Sequence, residues 1–223
     1  MTSQLAQALP TPTKPRIWFG AALLAVLLTL ANAALANRFE ADKANLRPDP
    51  ELREALVAAV NDASTFEDRF AAEVWLLDMS NRLERRMTQT EKWSGLKLWQ
   101  KHDQRMRFLS ALHEEATRAK LAPELVLALI EVESNFDRWA LSHVGARGLM
   151  QIMPFWLDEI GRPDDDLFDI RTNLRFGCTI LRFYIDKEHG NLGKGLARYN
   201  GSTGKSWYSE RVFSALRERW YRS

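Results

Sequence analysis

Apolar residues along this chain recur at two kinds of spacing: one solid block near the start, then stripes at helical intervals. The block runs from Ile17 to Leu30 within KPRIWFGAALLAVLLTLANAALA. Behind it, NLRPDPE carries Pro48 and Pro50 and reads as a linker, with Asp49 and Pro50 suited to the cap and first turn of a helix beginning near Glu51. Phe66, Phe70, Val74 and Leu77 then fall on one predicted helical face, with Glu67, Asp68 and Arg69 off it. A third stretch, about Glu91 to Lys120, aligns Leu109, Leu112 and Ala116. In LAPELVLALIEVES, Pro123 and Glu124 mark a helix start, and Leu125, Val126, Leu127, Leu129 and Ile130 cover almost its whole circumference. A helix that is apolar all round is buried. Further on, Asp169 stands at a helix start in DLFDIRTNLRFGCTILRFYI. Gly177 within that stretch is expected to let its helix approach the PELVLALIEVES helix. Val212, Phe213, Leu216 and Trp220 keep helical spacing to the end. No period-2 run is long enough for a sheet, so the expected fold class is mainly α.

Composition and charge narrow the partners. With 223 residues, 46% of them hydrophobic and 27% charged, the chain has the makings of a packed globular core. The formal charge is +2, from 31 Lys and Arg against 29 Asp and Glu. Both surplus bases, Lys14 and Arg16, precede the apolar block, so the remainder is neutral and lacks the footprint of a nucleic-acid binder. The basic flank, the apolar block and the small-x-small sites at Ala31-Asn32-Ala33 and Ala34-Leu35-Ala36 make residues 1–36 an export leader. It is either cleaved or kept as a membrane anchor through residues 17–36, since the stretch also reaches bilayer length. Either way the basic end stays cytoplasmic and the rest crosses, which predicts a periplasmic or cell-envelope location. The single Cys178, in an apolar helical context, reads as a small buried hydrophobe rather than a reactive thiol. The four histidines show no metal-binding spacing, and no cofactor is expected.

Candidate chemistry concentrates where the apolar helix ends. Glu131 and Glu133 close it, and a carboxyl group carried to the end of a buried helix is partly desolvated. Desolvation disfavours the charged form and raises the pKa, which is what a general acid near neutral pH requires. Periodicity does not choose between the two acids, and either one pairing with Arg138 or Arg147 is the purely structural alternative. The segment that follows is punctuated by Gly145 and Gly148, then sets Gln151 between Met150 and Met153. An amide among adaptable apolar side chains suits a hydroxyl- and amide-rich ligand such as an N-acetylated sugar; a methionine pair in the core with a surface Gln would leave the same pattern.

The Glu133-Ser134 pair, SHVGARGLMQIMP and ARYNGSTGKSWYSERV, in that order, resemble the soluble-type lytic transglycosylases, lysozyme-like enzymes that cut bacterial peptidoglycan. The resemblance covers roughly Leu121 to Phe213. It implies a lysozyme-like catalytic domain with a deep cleft, preceded by N-terminal helices: leader 1–36, linker and helical extension 37–119, catalytic domain 120–223. Matched position by position, Glu133 takes the place of the catalytic acid and Tyr199 that of the tyrosine facing it. Ser142, Gln151, Met153 and Asn200 match substrate-binding positions. His143, Asp137-Arg138 and the Tyr-Asn-Gly-Ser run depart from the family's usual Pro, Asn-Pro and Tyr-Asn-Ala-Gly, which bears on the outer subsites rather than the catalytic centre. Trp139 and Trp156 flank the motif; exposed they would be sugar-stacking platforms, buried they are core, and core is preferred for both.

What the resemblance implies is cleavage of the β-1,4 bond between N-acetylmuramic acid and N-acetylglucosamine in glycan strands. One glutamate serves as acid and then base, and a 1,6-anhydromuramyl end is left. Two alternatives stand beside it. A hydrolytic muramidase on the same scaffold would need a second carboxylate, for which Asp137, Asp158 and Asp164 to Asp166 are the candidates. A non-catalytic cell-wall-binding protein would carry a silent cleft, against which the intact Glu133, Gln151 and Tyr199 argue.

Overall fold

The structure is a computed structural model that describes residues 49–61, 69–88, 99, 101–160 and 162–221. The export leader, the beginning of the linker and Phe66 lie outside the described residues. The described helices all fall within one compact unit, Pro48–Ser223. Among the described residues the chain is helical, as the periodicity predicted, with isolated β-bridges at Leu141–Arg147 and Arg147–Ile152 and no strand. No described helix is long and apolar enough to cross a membrane.

Helix α1, Pro50–Asn61, begins where the linker pattern placed it: the Asp49 carboxylate accepts the Glu51 amide at 3.1 Å. It lays Leu52, Leu56 and Ala59 onto α6. Helix α2, Arg69–Thr88, buries Trp75, Met79, Leu83 and Met87, spaced by four. This corrects the predicted face, because Leu77 is 58% exposed and Val74 is only partly buried. The bulky Trp75 decides the rotation: its indole N–H donates to Glu124 at 2.8 Å, so the inward line starts one residue beyond Val74.

Helix α3, His102–Arg118, buries the predicted Leu109, Leu112 and Ala116 together with Phe108. It also buries a charge, Glu115, 2% exposed, which accepts from Arg118 at 2.8 Å and from Arg175 of α6 at 2.7 Å. A buried carboxylate is tolerable only when paired and hydrogen-bonded in this way. Helix α4, Pro123–Ser134, runs through the core with every residue from Leu125 to Glu131 buried. Short α5, Phe155–Glu159, leads to α6, Ile170–Lys187, capped as predicted by Asp169, whose carboxylate accepts the Thr172 amide at 2.9 Å. Helices α7, Leu192–Tyr199, and α8, Trp207–Ala215, follow, and the last turn, Leu216–Trp220, widens to π geometry.

A single apolar cluster runs from Leu52 to Trp220, so α1 and α2 share one core with α4. Cys178 is fully buried in it, and burial pushes its thiol pKa well up, as befits an inert side chain. Gly177 differs from expectation. The space a side chain would take there is filled by Met150, whose sulfur would lie 2.3 Å from an added Cβ. The close approach therefore serves the segment after α4, not α4 itself.

Candidate active site

The last turn of α4 faces two ways. On its buried side Glu131 accepts from Arg86 of α2 at 3.0 Å, from Arg219 at 3.0 Å and from the Trp220 indole at 2.8 Å. Glu131 therefore has the purely structural role considered above, though with Arg86 and Arg219 as partners instead of Arg138 or Arg147. Arg138 lies elsewhere: it donates to the Phe168 carbonyl at 3.0 Å and stacks over Trp139. On the other side Glu133 accepts a hydrogen bond from the Tyr208 hydroxyl at 2.5 Å. The Asn200 side chain also bonds the Glu133 carboxyl, and Arg211 lies within electrostatic reach. Burial raises the Glu133 pKa and outweighs the opposing pull of Tyr208, Asn200 and Arg211. The carboxyl group is thus held close to apolar surroundings while keeping donors that favour its ionised form.

Beyond Ser134 the chain turns sharply. Asn135 and Phe136 sit in the left-handed region, at φ +49° and +63°. Non-glycine residues there cost about 1–3 kcal/mol each and persist only where their surroundings hold them. Trp99 supplies one constraint, donating to the Phe136 carbonyl at 2.8 Å. The chain then doubles back on itself between residues 137 and 153. Gly148 donates to the Ala140 carbonyl at 2.9 Å, and Arg147 and Ile152 exchange backbone hydrogen bonds, both 2.9 Å.

Asn173 of α6, buried, organises this segment: its oxygen accepts the Met150 amide at 2.8 Å, and its nitrogen donates to the carbonyls of Arg147, 2.9 Å, and Leu167, 2.8 Å. Gly148 stands against it at φ +75°, where a Cβ would come within 2.4 Å of the Asn173 amide. Only glycine fits that backbone and that contact.

The residues expected from the sequence fall into this frame as follows. The Tyr199 hydroxyl donates to the Met150 carbonyl at 2.7 Å, and the phenol lies near enough for the Glu133 charge to help burial raise its pKa. Gln151, at φ +53°, donates both amide hydrogens inward, to the carbonyls of Gly148 at 2.9 Å and Ala140 at 3.2 Å. Ser142 accepts the Ala146 amide at 2.9 Å and pins the turn around Gly145. Met153 is partly exposed against the core. Glu133, Asn200 and Tyr199 are thus brought together, with Gln151 joined to them through Met150. Ser142 binds its own turn instead. Trp156 is buried as preferred, whereas Trp139 is 58% exposed and packs beside Phe168, which corrects the core expectation for that residue.

Sequence reasoning missed Tyr208 and Asn173. Tyr208 was readable in outline: it shares the inward stripe of Val212 and Ala215, so its ring had to point to the core. Asn173 carries no local signal, because its partners, the Met150 amide and the Arg147 carbonyl, lie more than twenty residues away in sequence. Among the described residues no group of His, Cys, Asp and Glu side chains is placed to hold a metal ion.

Residues 110–218 match the transglycosylase SLT domain family. The chain is 33% identical over 86 residues to "Transglycosylase" of Enterobacteria phage PRD1, a match covering 39% of this chain and 31% of that one. It is 28% identical over 138 residues to "Membrane-bound lytic murein transglycosylase F" of Desulfosudis oleivorans, covering 52% and 30%. The chain thus spans about a third of the length of the curated relatives it matches. A solved structure of an inactive mutant of lytic transglycosylase Slt from Pseudomonas aeruginosa overlaps 75% of this chain and 34% of its own, at 23% identity and a TM-score of 0.42.

Proposed function

We propose that this chain, which matches the transglycosylase SLT domain family over residues 110–218, cleaves peptidoglycan glycan strands as a lytic transglycosylase. The bond broken is the β-1,4 link between N-acetylmuramic acid and N-acetylglucosamine. One observation carries the reading: Glu133 closes a buried helix with a raised pKa, and its partners are a phenol and an amide rather than a second carboxylate.

The reaction proposed is the one the family resemblance implies, and this arrangement is compatible with each of its steps. Protonated Glu133 gives its proton to the glycosidic oxygen as the bond from that oxygen to the muramyl C1 breaks. The substrate's own 2-acetamido oxygen supports the developing cation at C1. The Glu133 carboxylate, stabilised by Tyr208 and Asn200, then takes the proton of the muramyl 6-hydroxyl, whose oxygen closes on C1. The 1,6-anhydro end forms without consuming water, and the glutamic acid is restored. An intramolecular nucleophile has a large effective molarity, which favours it over water. The acid must be protonated at the start and ionised midway, so a raised but accessible pKa fits both halves.

The other expected residues take roles consistent with their contacts. Asn200 bonds the acid. Tyr199 fixes the Met150 carbonyl and thereby the register of Gln151, whose side-chain oxygen is left for a substrate N–H. Ser142 shapes the turn, and Met153 offers an apolar surface to the sugar. Of the five carboxylates considered for a hydrolase, three are engaged locally: Asp137 accepts the Trp139 amide at 2.9 Å, Asp165 pairs with Arg162, and Asp166 accepts the Phe168 amide at 2.8 Å.

The site of action is the cell envelope, reached through the leader of residues 1–36, with the catalytic part at 120–223 behind a helical extension. Purified sacculi provide the test. The full chain should solubilise them, and Glu133→Gln protein of equal folded content should not. A reporter active only outside the cytoplasm, fused after Ser223, should be active; a cytoplasmic signal would put the enzyme out of reach of its substrate.

A further inference from the structure

The turn that carries Glu133 is gripped from behind by four side chains: Arg86, Trp99, Arg219 and Trp220. None of them belongs to residues 110–218, the span that matches the SLT family. Arg86 of α2 forks, with Nε to the Glu131 carboxylate at 3.0 Å and Nη2 to the Asn135 side-chain oxygen at 3.0 Å. Trp99, fully buried, holds the Phe136 carbonyl at 2.8 Å. Arg219 and Trp220 close on Glu131 from the C-terminal π turn. That turn is in turn clasped by α2, since Arg82 donates to the carbonyls of Arg219 and Tyr221, both at 3.2 Å.

Asn135 and Phe136 are also the consecutive left-handed residues through which the chain leaves the acid. A backbone of that kind holds one geometry only while something outside it fixes both residues. Arg86 fixes the first and Trp99 the second.

We infer that α2 and Trp99 are positioning elements of the active site, with Arg86 holding Glu133 in register with Tyr208 through Asn135. This answers what a helical extension is for: it completes the catalytic helix end. The inference rests on the lytic transglycosylase reading for its consequence in turnover, but not for the geometry itself. A catalytic group misplaced by a fraction of a bond length loses rate steeply even when the fold survives.

The test uses the full chain and two mild variants. Arg86→Lys keeps the charge but cannot fork to two acceptors. Asn135→Gly keeps the left-handed backbone and removes the acceptor. Three quantities are read at matched folded content by circular dichroism: the NMR signal of the Tyr208 hydroxyl proton, and kcat and KM on a defined glycan strand. Each variant should shift or broaden the hydroxyl signal and lower kcat about tenfold, with KM changed less than about twofold. The double variant should be no worse than the weaker single, because both break one interaction. A hydroxyl signal unchanged in both variants overturns the inference, whatever the rates do. If the unmodified chain turns over no glycan, the functional reading fails while the hydroxyl signal still decides whether Arg86 positions Glu133.

Discussion

Glu131 and Glu133 stand two residues apart on the same helical turn, yet the fold treats them in opposite ways. Glu131 meets two guanidinium groups and an indole N–H, so its charge is matched and its oxygens are engaged. Glu133 meets a phenol and an amide, with Arg211 acting on it only through its charge, and burial keeps its pKa raised. The back of the helix end is therefore an ion cluster that anchors, and the front is a titratable acid that can give and retrieve a proton. Proximity in sequence says little here; the partners decide the chemistry.

The sharpest way to break this contrast is to neutralise each acid in turn. Glu133→Gln should lower cleavage of sacculi by about a hundredfold or more, since the near-isosteric amide delivers no proton. Glu131→Gln keeps an acceptor for Arg86 and should leave most of the activity. Its cost should appear in urea unfolding as a loss of about 1–3 kcal/mol, at the low end because Arg86 and Arg219 retain access to water. Reversal of the two outcomes would exchange the roles assigned to the two residues.

Tyr208→Phe comes next. It removes the donor to Glu133, and that donor lowers the pKa against the larger effect of burial. The turnover should fall about tenfold, and the alkaline limb of the pH–rate profile should move to higher pH. An unmoved limb would mean that another group controls the acid.

The same pKa shift has a signed consequence for stability. The folded-state pKa of Glu133 is raised above its unfolded value, so its contribution to stability is fully present below the unfolded pKa. It is lost as pH rises through the folded pKa. Glu133→Gln, which never ionises, should match the unmodified chain in acid and gain a higher Tm relative to it as pH rises. A Tm difference independent of pH would place Glu133 in an ordinary, solvated setting.

The smallest expected effect is that of Tyr199→Phe. Its hydroxyl serves the Met150 carbonyl rather than the acid, so the loss should be a few-fold in kcat, with little change in Tm. A loss equal to that of Tyr208→Phe would make Tyr199 the closer partner of the reaction.

How much of this was legible beforehand depended on the range of the interactions involved. The buried helix ending at the acids, the Asp49 and Asp169 caps and the inward residues of α3 follow from local spacing and were read from it. The choice between Glu131 and Glu133 was not available to periodicity, because it rests on Arg86, Arg219, Trp220 and Tyr208, all distant in sequence. It came from the motif resemblance instead. The same limit explains Leu77, displaced outward because Trp75 bonds Glu124 across the core. It also explains Tyr199 and Tyr208, two phenols of one segment whose hydroxyl targets are set by tertiary packing. Trp139 was misjudged because an aromatic beside apolar residues looks internal until its neighbours, Arg138 and Phe168, are seen at the surface with it.

The central claim is that one carboxyl group serves as both acid and base, so that the sugar's own hydroxyl replaces water. Mass spectrometry of the muropeptides released from purified sacculi in oxygen-labelled water tests it directly. The account predicts muramyl ends one water lighter than reducing ends and free of the label, absent when Glu133→Gln protein is used. Labelled reducing ends as the main product would contradict it and identify a hydrolase.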